Sequence, residues 1–111
     1  MVREEDLIGN IKEFLKNAEL AMLREEYNTS LTLYFKTLAV MADLYLLRTI
    51  GRIPNNHSER FRILERSTPG IYQILDKNFL AYQESYRSKL KKENCEAIKE
   101  DVTRILRILK L

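Results

Sequence analysis

Residues 30–50 read SLTLYFKTLAVMADLYLLRTI, and this stretch decides the fold class. On a helix its apolar side chains cover most of the circumference and leave a narrow polar stripe of Thr32, Lys36 and Asp43. A helix that is apolar nearly all round is typical of the centre of a bundle, or of a helix that is buried partly by another chain. We therefore predict a central helix over 30–50 and a homodimer.

Amphipathic patterns on both sides of this stretch predict further helices. Residues 3–26 carry apolar side chains at steps of three and four, namely Leu7, Ile11, Leu15, Ala18 and Met22. A break is predicted at Tyr27-Asn28-Thr29, with Thr29 or Ser30 as the N-cap of the central helix. The last helix repeats the same spacing at Cys95, Ile98, Val102, Ile105 and Leu109, so Cys95 is expected in the core.

Residues 51–56 form the clearest loop, because a glycine follows the helix end and Pro54 cannot continue the helix. Asn56 is predicted to cap a short helix, with Glu59 in the capping-box position. Pro69 suits the first position of a fourth helix. The fourth helix is expected to be lined by Ile71, Leu75, Phe79, Tyr82 and Tyr86. Nothing alternates with period two, so we predict one all-α domain over 1–111, an up-and-down bundle of four to five antiparallel helices.

The 111-residue composition excludes several classes of protein. One cysteine and one histidine cannot build a Cys/His zinc cage within one chain, so no metal or other cofactor is expected. Three scattered glycines rule out phosphate-cradling and dinucleotide-binding loops. The longest uninterrupted apolar run, 38–42, is far short of a membrane span, and the first residues lack the apolar stretch of a signal peptide. We expect a soluble cytoplasmic protein without a membrane partner.

The net charge of +3 is unevenly distributed along the chain. Residues 1–26 carry four basic and seven acidic side chains, a balance of −3, and the remainder is +6. The densest basic stretch, 48–66, contains five arginines around the single histidine, His57. Because a guanidinium matches phosphate oxygens, this stretch favours recognition of RNA or a nucleotide, although a solvated helix face has the same composition.

Arg52 and His57, separated by four residues, suit metal-independent cleavage of RNA. An imidazole that titrates near neutral pH can move a proton, and an arginine can stabilise the crowded phosphate. His57 also lies at a helix start, where the helix dipole is expected to lower its pKa. The candidate catalytic residues are therefore His57 and Arg52, and the candidate binding residues are Arg48, Asn56 and Arg60. In the alternative, His57 only follows the N-cap and Arg52 is a loop cation.

The order of features resembles the HEPN superfamily (higher eukaryotes and prokaryotes nucleotide-binding), especially its small stand-alone prokaryotic members. The resemblance spans roughly 5–110 and rests on Tyr27, Ser30, Tyr34-Phe35, Ala39, Leu46-Leu47, Gly51, Pro54, His57-Ser58, Tyr82 and Tyr86-Arg87. It implies a helical bundle, usually homodimeric. Many relatives are ribonuclease toxins that pair with a small nucleotidyltransferase antitoxin.

The superfamily signature is an arginine, four to six residues and a histidine, which implies a phosphate-stabilising role for Arg52 and an acid–base role for His57. Ile53-Pro54 and Glu59 depart from the pattern of the active toxins. These departures suit members of the superfamily without clear nuclease activity. The resemblance thus implies RNA or nucleotide binding, with ribonuclease activity as one form. The alternative is a non-catalytic subunit that docks a nucleotidyltransferase or another protein.

Overall fold

Five helices make up most of residues 2–111, the part of the chain that the computed structural model describes. They run over Glu4–Leu23 (α1), Tyr27–Ile50 (α2), His57–Ser67 (α3), Pro69–Glu84 (α4) and Lys92–Leu109 (α5). These residues contain no strand, so the predicted all-α bundle is confirmed.

The central helix α2 packs against α1, α4 and α5. Twelve of its 24 residues are buried, and the side chains of Leu31, Tyr34, Leu38 and Leu44 are completely inaccessible. The other helices of the same chain therefore account for the apolar circumference of α2. Because burial of α2 does not require a second chain, the homodimer stays a prediction.

By length and composition, α2 is also the one helix within residues 2–111 that is apolar enough to cross a membrane. In its most apolar window, 67% of the residues are buried inside the bundle. The core helix of a soluble protein has the same composition, so this finding is weak evidence for a membrane span. The absence of a membrane partner stays a prediction.

The chain reverses between α1 and α2 earlier than its sequence suggests. Glu25 adopts left-handed geometry with φ 61°, and the Glu26 N–H donates to the Ala21 carbonyl at 2.9 Å, which ends α1. The predicted break at 27–29 is wrong, because these residues form the first turn of α2 and Glu26 is its N-cap. The predicted cap by Thr29 or Ser30 is wrong as well, since the Ser30 hydroxyl donates to the Ala18 carbonyl on α1 at 2.8 Å.

The loop after α2 and the starts of α3 and α4 agree with prediction. Gly51 ends α2 in the left-handed conformation, with φ 79°. The Asn56 side chain caps α3 by accepting from the Glu59 N–H at 2.9 Å, and Pro69 opens α4. The predicted lining of α4 is wrong at Tyr86, which lies beyond the helix and is 74% exposed. The predicted stripe of α5 is confirmed, because all five of its residues, Cys95 included, are buried.

Candidate functional site

His57 lies at the first position of α3, at the mouth of a small aromatic pocket. The Asn56 cap places it there, and its ring centroid is 6.3 Å from that of Phe35 and 6.2 Å from that of Phe79. The pocket has a volume of about 180 Å³ and draws its walls from four helices. Its lining residues are Phe14, Phe35, Lys36, Ala39, Val40, His57 and Tyr82.

A partly buried ion pair between Arg60 and Asp43 contacts the imidazole of His57. Arg60 Nε and Nη2 donate to the two carboxylate oxygens of Asp43 at 2.7 and 3.0 Å, which ties α3 to α2. The third contact of this guanidinium is made by Nη1, which lies 2.6 Å from His57 Nδ1. An arginine is always protonated and can only donate, so Nδ1 must accept. The imidazole is therefore neutral and carries its proton on Nε2.

The pKa of His57 is lowered from its ordinary value of 6.5. Burial of the ring is the largest cause, and the positive charges of Arg60 and Lys36 act in the same direction. Asp43 opposes them but does not outweigh them. The predicted direction is confirmed, and its main physical cause is burial.

We expect the single histidine to titrate below pH 6.5 in the folded protein. Since folding disfavours the imidazolium, the contribution of His57 to stability is fully present above pH 6.5 and is lost as the pH falls through the lower folded pKa. Proton NMR of the His57 ring measures this midpoint, and the same chain in denaturing urea is the control with the ordinary value. A folded midpoint at or above the denatured one would contradict the neutral imidazole.

The three arginines predicted for the site, Arg48, Arg52 and Arg60, are engaged by neighbouring groups. Arg52 Nη1 bonds the Glu59 carboxylate at 2.8 Å, and this hydrogen bond is the largest cause of the lowered pKa of Glu59. Arg48 contacts Glu4 at 2.8 Å through Nε and the Leu109 carbonyl at 2.7 Å through Nη1. Among the other four predicted site residues, Arg60 is the one whose side chain bonds that of His57, and no hydrogen bond joins Arg52 to His57 within residues 2–111.

Aromatic rings form the floor of the pocket. The Phe35 and Tyr82 rings stack at 4.7 Å with an interplanar angle of 16°, and the Tyr82 hydroxyl hydrogen-bonds that of the exposed Tyr86 at 2.8 Å. Phe14 and Asp43 were not expected at the site. The sequence held one signal for Asp43, an acidic residue inside the apolar stretch that needs a cationic partner once it is buried.

The fold and the pocket define an all-α bundle with a neutral histidine at the mouth of an aromatic pocket. Comparison of the chain with protein-family models, curated proteins and solved structures gave no match. The resemblance to the HEPN superfamily therefore stays a prediction. Within residues 2–111, no group of three or more His, Cys, Asp or Glu side chains is arranged to hold a metal ion.

Proposed function

We propose that this protein binds a ribonucleotide unit, free or within single-stranded RNA, through the aromatic pocket at His57, and that it does so without cleaving it. The observation that carries the proposal is the contact between Arg60 Nη1 and His57 Nδ1, which leaves Nε2–H as the donor of a ring that lines the pocket floored by Phe35 and Tyr82.

The chemistry of the pocket suits one base. Stacking of a base on an aromatic side chain contributes about 1–3 kcal/mol and does not depend strongly on sequence. Ligand pockets usually exceed about 300 Å³, so the 180 Å³ at His57 favours a single ring system with the sugar and phosphate outside. Lys36 is exposed beside this mouth and supplies the positive charge for a phosphate.

The state of His57 favours binding over cleavage. Cleavage by acid–base catalysis needs an imidazole nitrogen that takes a proton from the 2′-hydroxyl. Here Nδ1 faces the guanidinium of Arg60 and Nε2 already carries a proton. Arg52, which the resemblance gives a phosphate-stabilising role, is paired with Glu59. A neutral Nε2–H instead donates to a carbonyl oxygen or ring nitrogen of a base.

We expect Lys36→Ala to weaken binding of a labelled oligouridylate by about tenfold, because it removes a charge-assisted contact to phosphate. His57→Phe keeps the ring and loses the donor, so it should weaken binding by about three- to tenfold. Fluorescence anisotropy measures both affinities. Lys16→Ala is the matched control, since Lys16 is exposed on α1 outside the pocket and its removal changes the net charge equally.

Equal affinities for Lys36→Ala and Lys16→Ala would show that attraction to RNA is diffuse and would overturn the pocket as the binding site. Cleavage is tested separately, by incubating the labelled RNA with the wild-type protein and with His57→Ala in the presence of a chelator. Intact RNA in both reactions is expected. Cleavage by the wild type alone would replace the proposal with a metal-independent ribonuclease.

A further inference from the structure

A second pocket lies beside the one at His57, between the first turns of α2 and the end of α4. Its volume is about 240 Å³, and it is open to solvent at Thr29 and Tyr86, which are both exposed. Its lining residues are Asn28, Thr29, Thr32, Leu33, Ser85 and Tyr86. The function proposed above uses none of them.

The two pockets share one face of α2. Thr32, Lys36 and Val40 follow one another at steps of four residues along this face, and Lys36 is the exposed residue in the middle. Thr32 and Ala39, one from each pocket, are seven residues apart, which is about 10 Å along the helix axis. A strand that enters both pockets therefore passes Lys36 on its way.

Two tyrosines join the pockets on the side of α4. Tyr82 belongs to the floor of the first pocket and Tyr86 to the second; their hydroxyls are 2.8 Å apart, and their ring centroids are 5.6 Å apart at an angle of 75°. The turn that carries Tyr86 is fixed as well, because the Asn28 side chain donates to the carbonyls of Ser85 and Ser88. Although it is held in this way, Tyr86 is 74% exposed. An aromatic ring that is fixed but left in solvent is suited to stacking on a base.

Two hydroxyl oxygens supply the polar contact of the second pocket. The Thr32 hydroxyl donates to the Asn28 carbonyl at 2.9 Å, and the Ser85 hydroxyl donates to the Tyr82 carbonyl at 2.5 Å. Since each hydroxyl has one proton, both oxygens, which lie 3.5 Å apart, are acceptors toward a ligand. A donor placed between them satisfies both. Adenine, cytosine and guanine carry such a donor as an exocyclic amino group, and uracil does not.

We propose that the two pockets form one groove that binds two successive nucleotides of single-stranded RNA, an inference that deepens the function proposed above and rests on it. The first base lies at His57, the linking phosphate contacts Lys36, and the second base stacks on Tyr86. This second base carries an amino group, which donates to the Thr32 and Ser85 oxygens. Neighbouring bases in a helix stack about 3.4 Å apart, so bases in both pockets are unstacked, the form in which proteins read single-stranded RNA. The ligand is therefore a strand and not a free nucleotide.

The first experiment titrates the protein in a calorimeter with UpU, UpA, ApU and the methyl esters of UMP and AMP, which carry the same single phosphate charge. The better of UpA and ApU is expected to bind about tenfold more tightly than either ester, because the second base adds one stacking contact. It should also bind about three- to tenfold more tightly than UpU, which lacks the amino group.

Each other outcome overturns a defined part. Dinucleotides that bind no more tightly than the esters would overturn the groove and leave the single-base pocket at His57 intact. Equal binding of the three dinucleotides would overturn the amino group as the feature that the second pocket reads. If none of the five ligands bound, the function proposed above would fail, and the groove would fail with it.

The second experiment substitutes residues of the second pocket. Tyr86→Ala should weaken binding of the better dinucleotide by about tenfold, and Tyr86→Phe, which keeps the ring, by no more than about twofold. Both variants should bind the UMP methyl ester as the wild type does. Leu80→Ala is the control, since Leu80 is another exposed apolar side chain of α4 and lies outside both pockets. Equal losses in Tyr86→Ala and Leu80→Ala, or an equal loss for the ester, would overturn the role of Tyr86.

Thr32→Val keeps the shape of the side chain and removes one of the two acceptor oxygens. It should abolish most of the advantage of the amino base over UpU and leave the affinity for UpU itself unchanged. An undiminished advantage in Thr32→Val would contradict the contact to the amino group.

Discussion

Asp43→Ala is expected to destabilise the protein by about 3–5 kcal/mol, the largest effect of any single polar substitution that we predict. The carboxylate receives two hydrogen bonds from Arg60, and both side chains are only 11% exposed. Removal of Asp43 leaves the charged guanidinium of Arg60 partly buried and without its carboxylate partner. Urea denaturation, monitored by circular dichroism, measures the change in the free energy of unfolding.

The matched control is the double variant Asp43→Ala with Arg60→Met. It also removes the unpaired charge of Arg60 and keeps an unbranched side chain at that position. Since much of the cost comes from the unpaired guanidinium, the double variant should be more stable than Asp43→Ala alone. A loss below about 1 kcal/mol in Asp43→Ala would place the pair among ordinary surface ion pairs and contradict its structural role.

Asn28→Ala is expected to lower the free energy of unfolding by about 2–4 kcal/mol, because the Asn28 side chain makes three hydrogen bonds to the connection between α4 and α5. Its Nδ2 donates to the carbonyls of Ser85 at 2.8 Å and Ser88 at 2.7 Å, and its Oδ1 accepts from the Leu90 N–H at 2.9 Å. These three hydrogen bonds hold a segment that lies outside the helices over 85–91. The same urea measurement reports the loss.

Asn17→Ala is the control for this substitution. Asn17 lies on the exposed surface of α1 and makes one side-chain hydrogen bond, to the Glu13 carbonyl one turn earlier. Its replacement should change stability by no more than about 0.5 kcal/mol, since alanine is also a better helix former. If Asn28→Ala lost no more than Asn17→Ala, the segment over 85–90 would owe its conformation to other contacts.

The parts of the fold that were predicted correctly depend on short-range patterns. The apolar stripe of α5, the glycine after α2 and the Asn56 cap before His57 each involve residues within a turn or two of one another. The reversal after α1 was misplaced because a glutamate, not a glycine, takes the left-handed conformation at Glu25. Intrinsic preference did not indicate that position, and in the folded chain the Ser30 hydroxyl donates to the Ala18 carbonyl across the reversal.

The candidate site was predicted only in part, for a related reason. His57 was identified from its neighbours in the chain, but Phe14, Phe35 and Tyr82 come from three other helices and meet it only in the folded bundle. The spacing in the sequence favoured Arg52 as its partner. In the fold, Glu59 pairs with Arg52, and Arg60 reaches both Asp43 and His57.

By itself, the sequence determined that this protein is a helical bundle around residues 30–50, because helical periodicity and capping act over a few residues. It also determined the inventory of charges and the place of the one histidine at the start of a helix. Only the tertiary structure decided which charges pair, since Asp43 and Arg60 are 17 residues apart and electrostatic attraction depends on distance and burial. That pairing sets the proton on His57 Nε2, and with it the chemistry open to the pocket.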